Sequence, residues 1–385
     1  MRLVIYTGKG GTGKTVSSCA TAINLADKNY KTILISSDPA HTLSDALLIN
    51  IGNELSDVLP NLMAIEIDPI FEMQKNYDSF LSYIASTFYG KGVSRTMAYE
   101  MGMLPGMTQL LSLLKIEHVL TRSDCDVAVV DMPASGEALR FLHFPKLAGS
   151  MGRKLVSIGG LLGGLARLFQ PLSGYSGQLG SFLNQEADIM KRLENLGSIM
   201  SNQSITSLRL VTNTDVFSLK NAKRALMSAS LFGINVDLVL INKVDKTRYE
   251  TKKISENIPF EFYPVPCRIA ELRKTELQGI QMLRDHALEI FNDSDPSHVF
   301  FQGKVYSLTE TNDSVTVTVR LPFVKESDVN VIKDGDELII TARHEAGHVA
   351  NTVMLPLGAI GMKLLSSNLD GNELSIRKMK VSQRG

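Results

Sequence analysis

The chain has few cysteines. Only Cys19, Cys125 and Cys267 occur in 385 residues, far apart and with no Cys-x-x-Cys pair, which argues against a disulfide framework and fits a reducing compartment. It also lacks net charge. Forty basic residues balance forty acidic ones, so the electrostatic footprint of a nucleic-acid binder is missing. The uncharged run Leu155 to Ala166, between Lys154 and Arg167, is only 12 residues long and contains four glycines. That is too short to span a bilayer, which takes about 20 residues, and too glycine-rich for a firm helix. The chain enters an apolar strand almost at once, so neither a signal peptide nor a transit segment is expected and the predicted location is cytoplasmic. What is present is ample apolar material, 44% of residues, enough to bury the cores of two or three domains.

The most informative segment is Gly8-Lys9-Gly10-Gly11-Thr12-Gly13-Lys14-Thr15. Its glycines permit the positive φ angles of a tight curl, so that backbone N–H groups turn inward toward phosphate oxygens. Lys14 is placed to reach the β and γ phosphates, Thr15 to put its hydroxyl on Mg²⁺, and Val16 to continue the helix whose N-terminus lies under the phosphates. The context agrees, since Leu3 to Thr7 reads as a buried strand and Val16 to Lys28 as a helix. Asp38 follows a second apolar run, Ile33 to Ser37, and Asp131 closes a third, Val127 to Val130. A carboxylate at such a strand end can orient an attacking water or hold Mg²⁺ through water.

With Lys9 in place, the loop resembles that of a group of dimeric ATPases. These include the arsenite-pump ATPase, the tail-anchored-protein-targeting ATPase, partition and division-site ATPases and the nitrogenase iron protein. The resemblance implies a homodimer using ATP and Mg²⁺, in which Lys9 crosses to the opposite subunit's phosphates and stabilises charge as an arginine finger does. Asp38-Pro39-Ala40-His41-Thr42-Leu43-Ser44-Asp45 is similar to the first switch of the arsenite-pump and targeting branch, which makes Asp38 the water-positioning residue. Asp131 to Leu142 is similar to its second switch, with Met132-Pro133 and Glu137 departing from the usual residues. By the same resemblance Asn242 contacts adenine, and Pro266 supplies backbone and packing contacts on the other side. Asn242-Lys243-Val244-Asp245 is also the guanine-reading pattern of GTPases; the family match favours ATP, and the sequence alone does not exclude GTP. The cysteine pairs that relatives use for zinc, metalloid or an iron–sulfur cluster are not recognisable.

Between the switches and later strands lie Met97, Met101, Met103 and Met107, then a leucine-rich stretch, and then the glycine-rich run with Leu161 and Leu162. Targeting ATPases line a client groove with a helical subdomain at this place, and methionine suits a promiscuous apolar surface. Core packing is the competing reading. Near 293–300 the character changes, and period-two alternation at Val315, Val317, Val319 and Leu321 begins an antiparallel β-sandwich. Val319 to Val329, with Leu338-Ile339-Ile340 and Met354-Leu355-Pro356, resembles the α-crystallin domain of small heat-shock proteins. His344-Glu345-Ala346-Gly347-His348 matches His-Glu-x-x-His, yet its strand and hairpin context argues against a zinc helix.

The expected architecture is therefore an α/β P-loop ATPase domain over 1–292, with a mostly parallel sheet and a helical client-binding subdomain at about 70–120 and 145–200. A linker at 293–300 and an all-β sandwich at 301–385 follow. The expected function is ATP hydrolysis coupled to binding and release of a hydrophobic helix or tail-anchored client, with a membrane receptor as a further partner and no nucleic acid. A membrane- or cargo-positioning partition-type ATPase and an ATP-regulated holdase chaperone are the alternatives.

Overall fold

A computed structural model describes residues 1–38, 42–77, 105–133, 139, 176–247, 257–303, 306–311, 314–334, 337–345, 347–355 and 362–379. Eight strands form one sheet in the order β3-β4-β2-β5-β1-β6-β7-β8. These are β1 Arg2–Gly8, β2 Thr32–Ser36, β3 Ser56–Leu59, β4 Leu62–Glu66, β5 Val127–Asp131, β6 Thr206–Thr212, β7 Val236–Val244 and β8 Cys267–Glu271. All pairings are parallel except β3 with β4. The central strands are apolar nearly throughout because both faces are covered. Leu3 and Ile5 of β1 enter one core, while Val4 and Tyr6 enter the other.

One face carries α1 (Lys14–Asp27), α2 (Leu43–Leu47) and α7 (Ile280–Phe291). The other carries α4 (Pro105–Arg122), α5 (Ser176–Ser201) and α6 (Val216–Leu231), and α3 (Pro69–Glu72) follows β4. Of the expected client-groove residues, Met103, Leu161 and Leu162 lie outside the described residues, and Met107 lies in α4 with its side chain outside them. The leucine-rich stretch beside them is core: Leu111, Leu113, Leu114 and Ile116 are buried. Polar ties fix its neighbours, with Lys115 Nζ 2.6 Å from Glu72, and Arg192 of α5 2.8 Å from Glu117.

The C-terminal part is two antiparallel sheets. One is β14-β15-β10-β9 and the other β11-β12-β13, built from β9 Tyr306–Glu310, β10 Ser314–Arg320, β11 Val329–Asp334, β12 Glu337–His344, β13 Gly347–Met354, β14 Lys363–Asp370 and β15 Glu373–Met379. His344 pairs with Gly347 and Arg343 with His348 across the β12–β13 turn, so the His-Glu-x-x-His string is a hairpin and not a helical face. The sandwich docks on α6. Asn351 donates to the carbonyl of Leu231 at 2.7 Å, Lys220 pairs with Glu345 at 3.2 Å, and Phe323 meets Phe262 edge-on at 6.1 Å.

The segment expected to be a linker is bound to the ATPase body. Arg209, fully buried on β6, pairs with buried Asp237 at 3.3 Å and donates to the Pro296 carbonyl at 2.7 Å. Its guanidinium lies over the rings of Tyr6, Phe291 and Phe300, where flat, weakly hydrated charge is well accommodated. Phe300 N–H donates to Asp237 and Asn235 donates to the Phe301 carbonyl. Removing one partner of such a buried pair strands the other charge. Asp237→Ala is expected to cost about 3–5 kcal/mol in chemical denaturation and to speed limited proteolysis within 292–303; an unchanged cleavage rate would show that the connector is held by other contacts.

Candidate nucleotide site

The phosphate loop runs from the end of β1 into α1 at the carboxyl edge of the sheet, where open α/β sheets bind ligands. Gly8 pairs with Val211 of β6, and a Cβ on Gly8 would sit 2.2 Å from the Val211 carbonyl oxygen, so only glycine fits. Gly13 is the N-cap of α1 at φ 97°, with no side-chain cap bond. The N-terminal N–H groups of the helix are thus not claimed by a capping side chain, the arrangement an anion needs. Gly11 also has positive φ, and Cβ atoms built on Gly10 and Gly11 would meet nothing within 4 Å. Thr12 closes the turn, its N–H and hydroxyl both donating to the Lys9 carbonyl at 3.3 and 2.8 Å.

Asp131, at the end of β5, is fully buried. Its Oδ2 accepts from the Thr15 hydroxyl at 2.6 Å, and its Oδ1 has no partner. Burial pushes its carboxyl up to about 7, although Thr15 and Lys14 pull it down, and Asp38 adds to the rise. A desolvated acceptor with one oxygen unclaimed, next to a threonine hydroxyl, is what a hard divalent cation would satisfy, so Thr15 and Asp131 fit Mg²⁺. Among the described residues no cluster of three or more His, Cys, Asp or Glu could hold a metal. Lys14 is buried beside this carboxylate, and Asp38 is half-buried at the end of the neighbouring β2.

Several participants escaped the sequence reading. Thr42, named in the sequence only as part of the switch-like segment 38–45 and given no role of its own, has its hydroxyl 3.1 Å from that of Thr15. Glu66 ends β4 and accepts from the N–H groups of Leu43 and Ser44 at 2.6 and 3.2 Å and from the Ser44 hydroxyl at 2.7 Å. It thereby pins the start of α2, next to the switch. The signal was available, because Leu62 to Glu66 is an apolar run closed by a carboxylate, the same pattern that marked Asp131. Pro39 to His41 and Ala134 to Glu137 lie outside the described residues.

Asn242 does reach the loop. Its amide donates to the Thr12 carbonyl at 2.9 Å, and a Cβ on Gly13 would collide with it at 2.2 Å, so the side chain braces the loop from β7. Lys243, with φ 56°, donates to the Gly11 carbonyl at 2.8 Å. Pro266 is not brought to this edge. It immediately precedes β8, and its carbonyl accepts from Val239, three residues before Asn242 and about 10 Å back along the strand. The carboxyl edge of β8 is formed by Glu271, followed by Leu272. Lys9 is exposed and points to α6, its Nζ 5.9 Å from the ring centroid of Phe217. Burial raises the nearby Asp215 carboxyl, but bonds from Ser218 and the charge of Lys9 outweigh it and hold the group below the usual range.

The profile of the anion-transporting ATPase family matches residues 1–291, and that of the HSP20-like domain found in its arsenical-pump members matches 312–377. A relative from Chlorobaculum tepidum named as an arsenical pump-driving ATPase is 32% identical over 94% of this chain and 92% of its own length. One from Aquifex aeolicus with a similar name is 29% identical over 92% and 94%. The ATPase get3 of Aspergillus terreus is 30% identical over 63% of this chain and 73% of its own. Matched by that profile over residues 1–291 and by the HSP20-like profile over 312–377, the chain belongs to the anion-transporting ATPase family and is an ATP-hydrolysing enzyme with an HSP20-like domain at its C-terminal side.

Proposed function

We propose that this protein is a homodimeric, Mg²⁺-dependent ATPase of the cytoplasm that binds and releases hydrophobic segments of client proteins, tail-anchored membrane proteins being the class that the targeting branch suggests. The observation that carries the catalytic part is the Thr15–Asp131 pair with its unclaimed buried oxygen. Thr15 and Asp131 would hold Mg²⁺ there, and the ion would supply positive charge to the phosphate oxygens. The chain's own residues do the rest. Loop N–H groups and Lys14 hold the phosphates, Asp38 orients the attacking water and takes up its proton, and Asn242 keeps the loop in shape while its side-chain oxygen accepts from the base amine. Lys9 leaves Phe217 on dimer closure and reaches the partner's phosphates. Glu66 carries switch movement into β4 and, through α3, toward the helical subdomain that holds the client in a groove lined by Met103, Met107, Leu161 and Leu162. A receptor at the membrane would take the client on release. The arsenical reading of the relatives' names has less support, since Cys19, Cys125 and Cys267 sit on or beside three separate elements and only Cys19 is fully buried.

Asp38→Asn is expected to lower turnover by about 10²–10⁴-fold while retaining nucleotide and the closed dimer; wild-type turnover in that variant would remove Asp38 from the mechanism. Lys9→Ala is expected to keep nucleotide binding and lose about 10³-fold in turnover, read by single-turnover hydrolysis. Changing Met103, Met107, Leu161 and Leu162 to serine is expected to abolish ATP-dependent capture of a transmembrane-helix peptide. Capture that persists without ATP would favour a holdase, and hydrolysis with no capture a positioning ATPase. Because the folded-state value of Asp131 lies above its unfolded one, the native state holds the extra proton between about pH 4 and about 7. The nucleotide-free protein therefore loses stability as pH rises through that window. Asp131→Asn is expected to flatten this loss and to be more stable at pH 8 by a few kcal/mol, on the order of 1.4 per pKa unit, while losing Mg²⁺-dependent hydrolysis.

A further inference from the structure

β15 carries a charge where its pattern calls for an apolar side chain. Leu374, Ile376 and Lys378 are buried, while Glu373 and Arg377 between and before them are exposed. The period of two thus turns Lys378 inward, between the two sheets of the sandwich. It pairs with Val315 of β10 on one side and with Leu364 of β14 on the other, and Val315 is fully buried. Lys378 is itself fully buried, and its ammonium has no hydrogen-bond partner. From the opposite sheet Lys333 of β11 follows Val329 and Val331 on the face that packs on the core, opposite buried Leu338 of β12. The charge it brings to Lys378 is positive as well. Glu310, in the same row of the sheet on β9, is exposed.

An ammonium offers three donors and accepts nothing. Buried without a partner it is expensive, and a second cation beside it adds to the cost. Burial and the charge of Lys333 hold the Lys378 ammonium down at about 8, so it keeps its proton at pH 7. A charge set into an otherwise consistent strand pattern marks a functional position. We propose that Lys378 and Lys333 form a binding site for one oxyanion, a carboxylate or a phosphate group, held between the two sheets of the HSP20-like domain where β10 begins and β15 ends. A negative oxygen there accepts charge-assisted bonds from Lys378 and offsets the repulsion between the two lysines. Two ammonium groups are point charges without the planar fork of arginine, so they select for charge and small size. The site is separate from the nucleotide site, which lies at the carboxyl edge of the eight-stranded sheet.

The test is hydrogen exchange of the full chain, read by mass spectrometry, with Mg·ADP in excess to fill the phosphate loop. Inorganic phosphate, sodium acetate and sodium chloride are titrated at matched ionic strength. Exchange in peptides covering β10, β11 and β15 is expected to slow saturably with an oxyanion, by about tenfold at about ten times its dissociation constant, and not with chloride. Slowing by acetate alone identifies a carboxylate site, by phosphate alone a phosphate site, and by both a site for either group. Lys378→Met keeps the length of the buried stem without its charge and is expected to lose the effect. Lys333→Met, which leaves the buried position untouched, is expected to weaken it. Equal slowing in the wild type and both variants, or no slowing by either oxyanion, would overturn the inference.

Discussion

The rest of the site is arranged around a carboxylate that water does not reach. Asp131 lies at the end of a strand buried on both faces, with one oxygen on Thr15 and the other without a donor. Leaving a buried acceptor unmet is costly, and the fold around it supplies only partial relief. The Asp131 carbonyl receives Ser37 N–H from β2, Met132 N–H returns to the Tyr6 carbonyl of β1, and the Thr15 hydroxyl also meets Thr42 of the first switch. Whatever completes the coordination of Asp131 therefore acts at once on the phosphate loop, on β2 with Asp38, and on the start of α2, which Glu66 holds. One buried oxygen without a donor thus sits where the phosphate loop, the end of β2 and the start of α2 meet.

The same economy joins the two parts of the chain. α6 begins at Asp215 and Phe217, next to Lys9, and ends at Leu231, whose carbonyl is capped by Asn351 of the sandwich. A helix is stiff along its axis, so its two ends move together. Arg209 and Asp237 fasten the connector below, which denies the sandwich the freedom of a tethered module. The HSP20-like domain is thus attached to the element that Lys9 rests on.

Much of this was legible in the sequence, for reasons that differ by residue. The phosphate loop was readable because glycines at fixed spacing have few other uses, and Asp131 because a carboxylate closing an apolar strand is expensive unless it has work to do. The sandwich announced itself by period-two alternation at Val315, Val317 and Val319, which is all buried in the structure. What escaped depended on register and long-range contact. Pro266 was assigned to the wrong end of a strand because the start of β8 could not be fixed without its pairing to β7. The segment 293–300 looked like a linker because the cage around Arg209 draws residues from four distant elements. Asn242 and Lys243 were noted as part of a motif, but their contacts with the Thr12 and Gly11 carbonyls come at a bulge that no local pattern marks.

The central claim is that Mg²⁺ and nucleotide are met by an Asp131 that must give up its proton. Calorimetry of pre-formed Mg·ATP binding at pH 7, in buffers of different ionisation enthalpy, measures that proton directly. Because burial holds the Asp131 carboxyl up at about 7, the account predicts net proton release on binding in the wild type and none in Asp131→Asn. Binding of equal affinity with no proton released by either protein would contradict it.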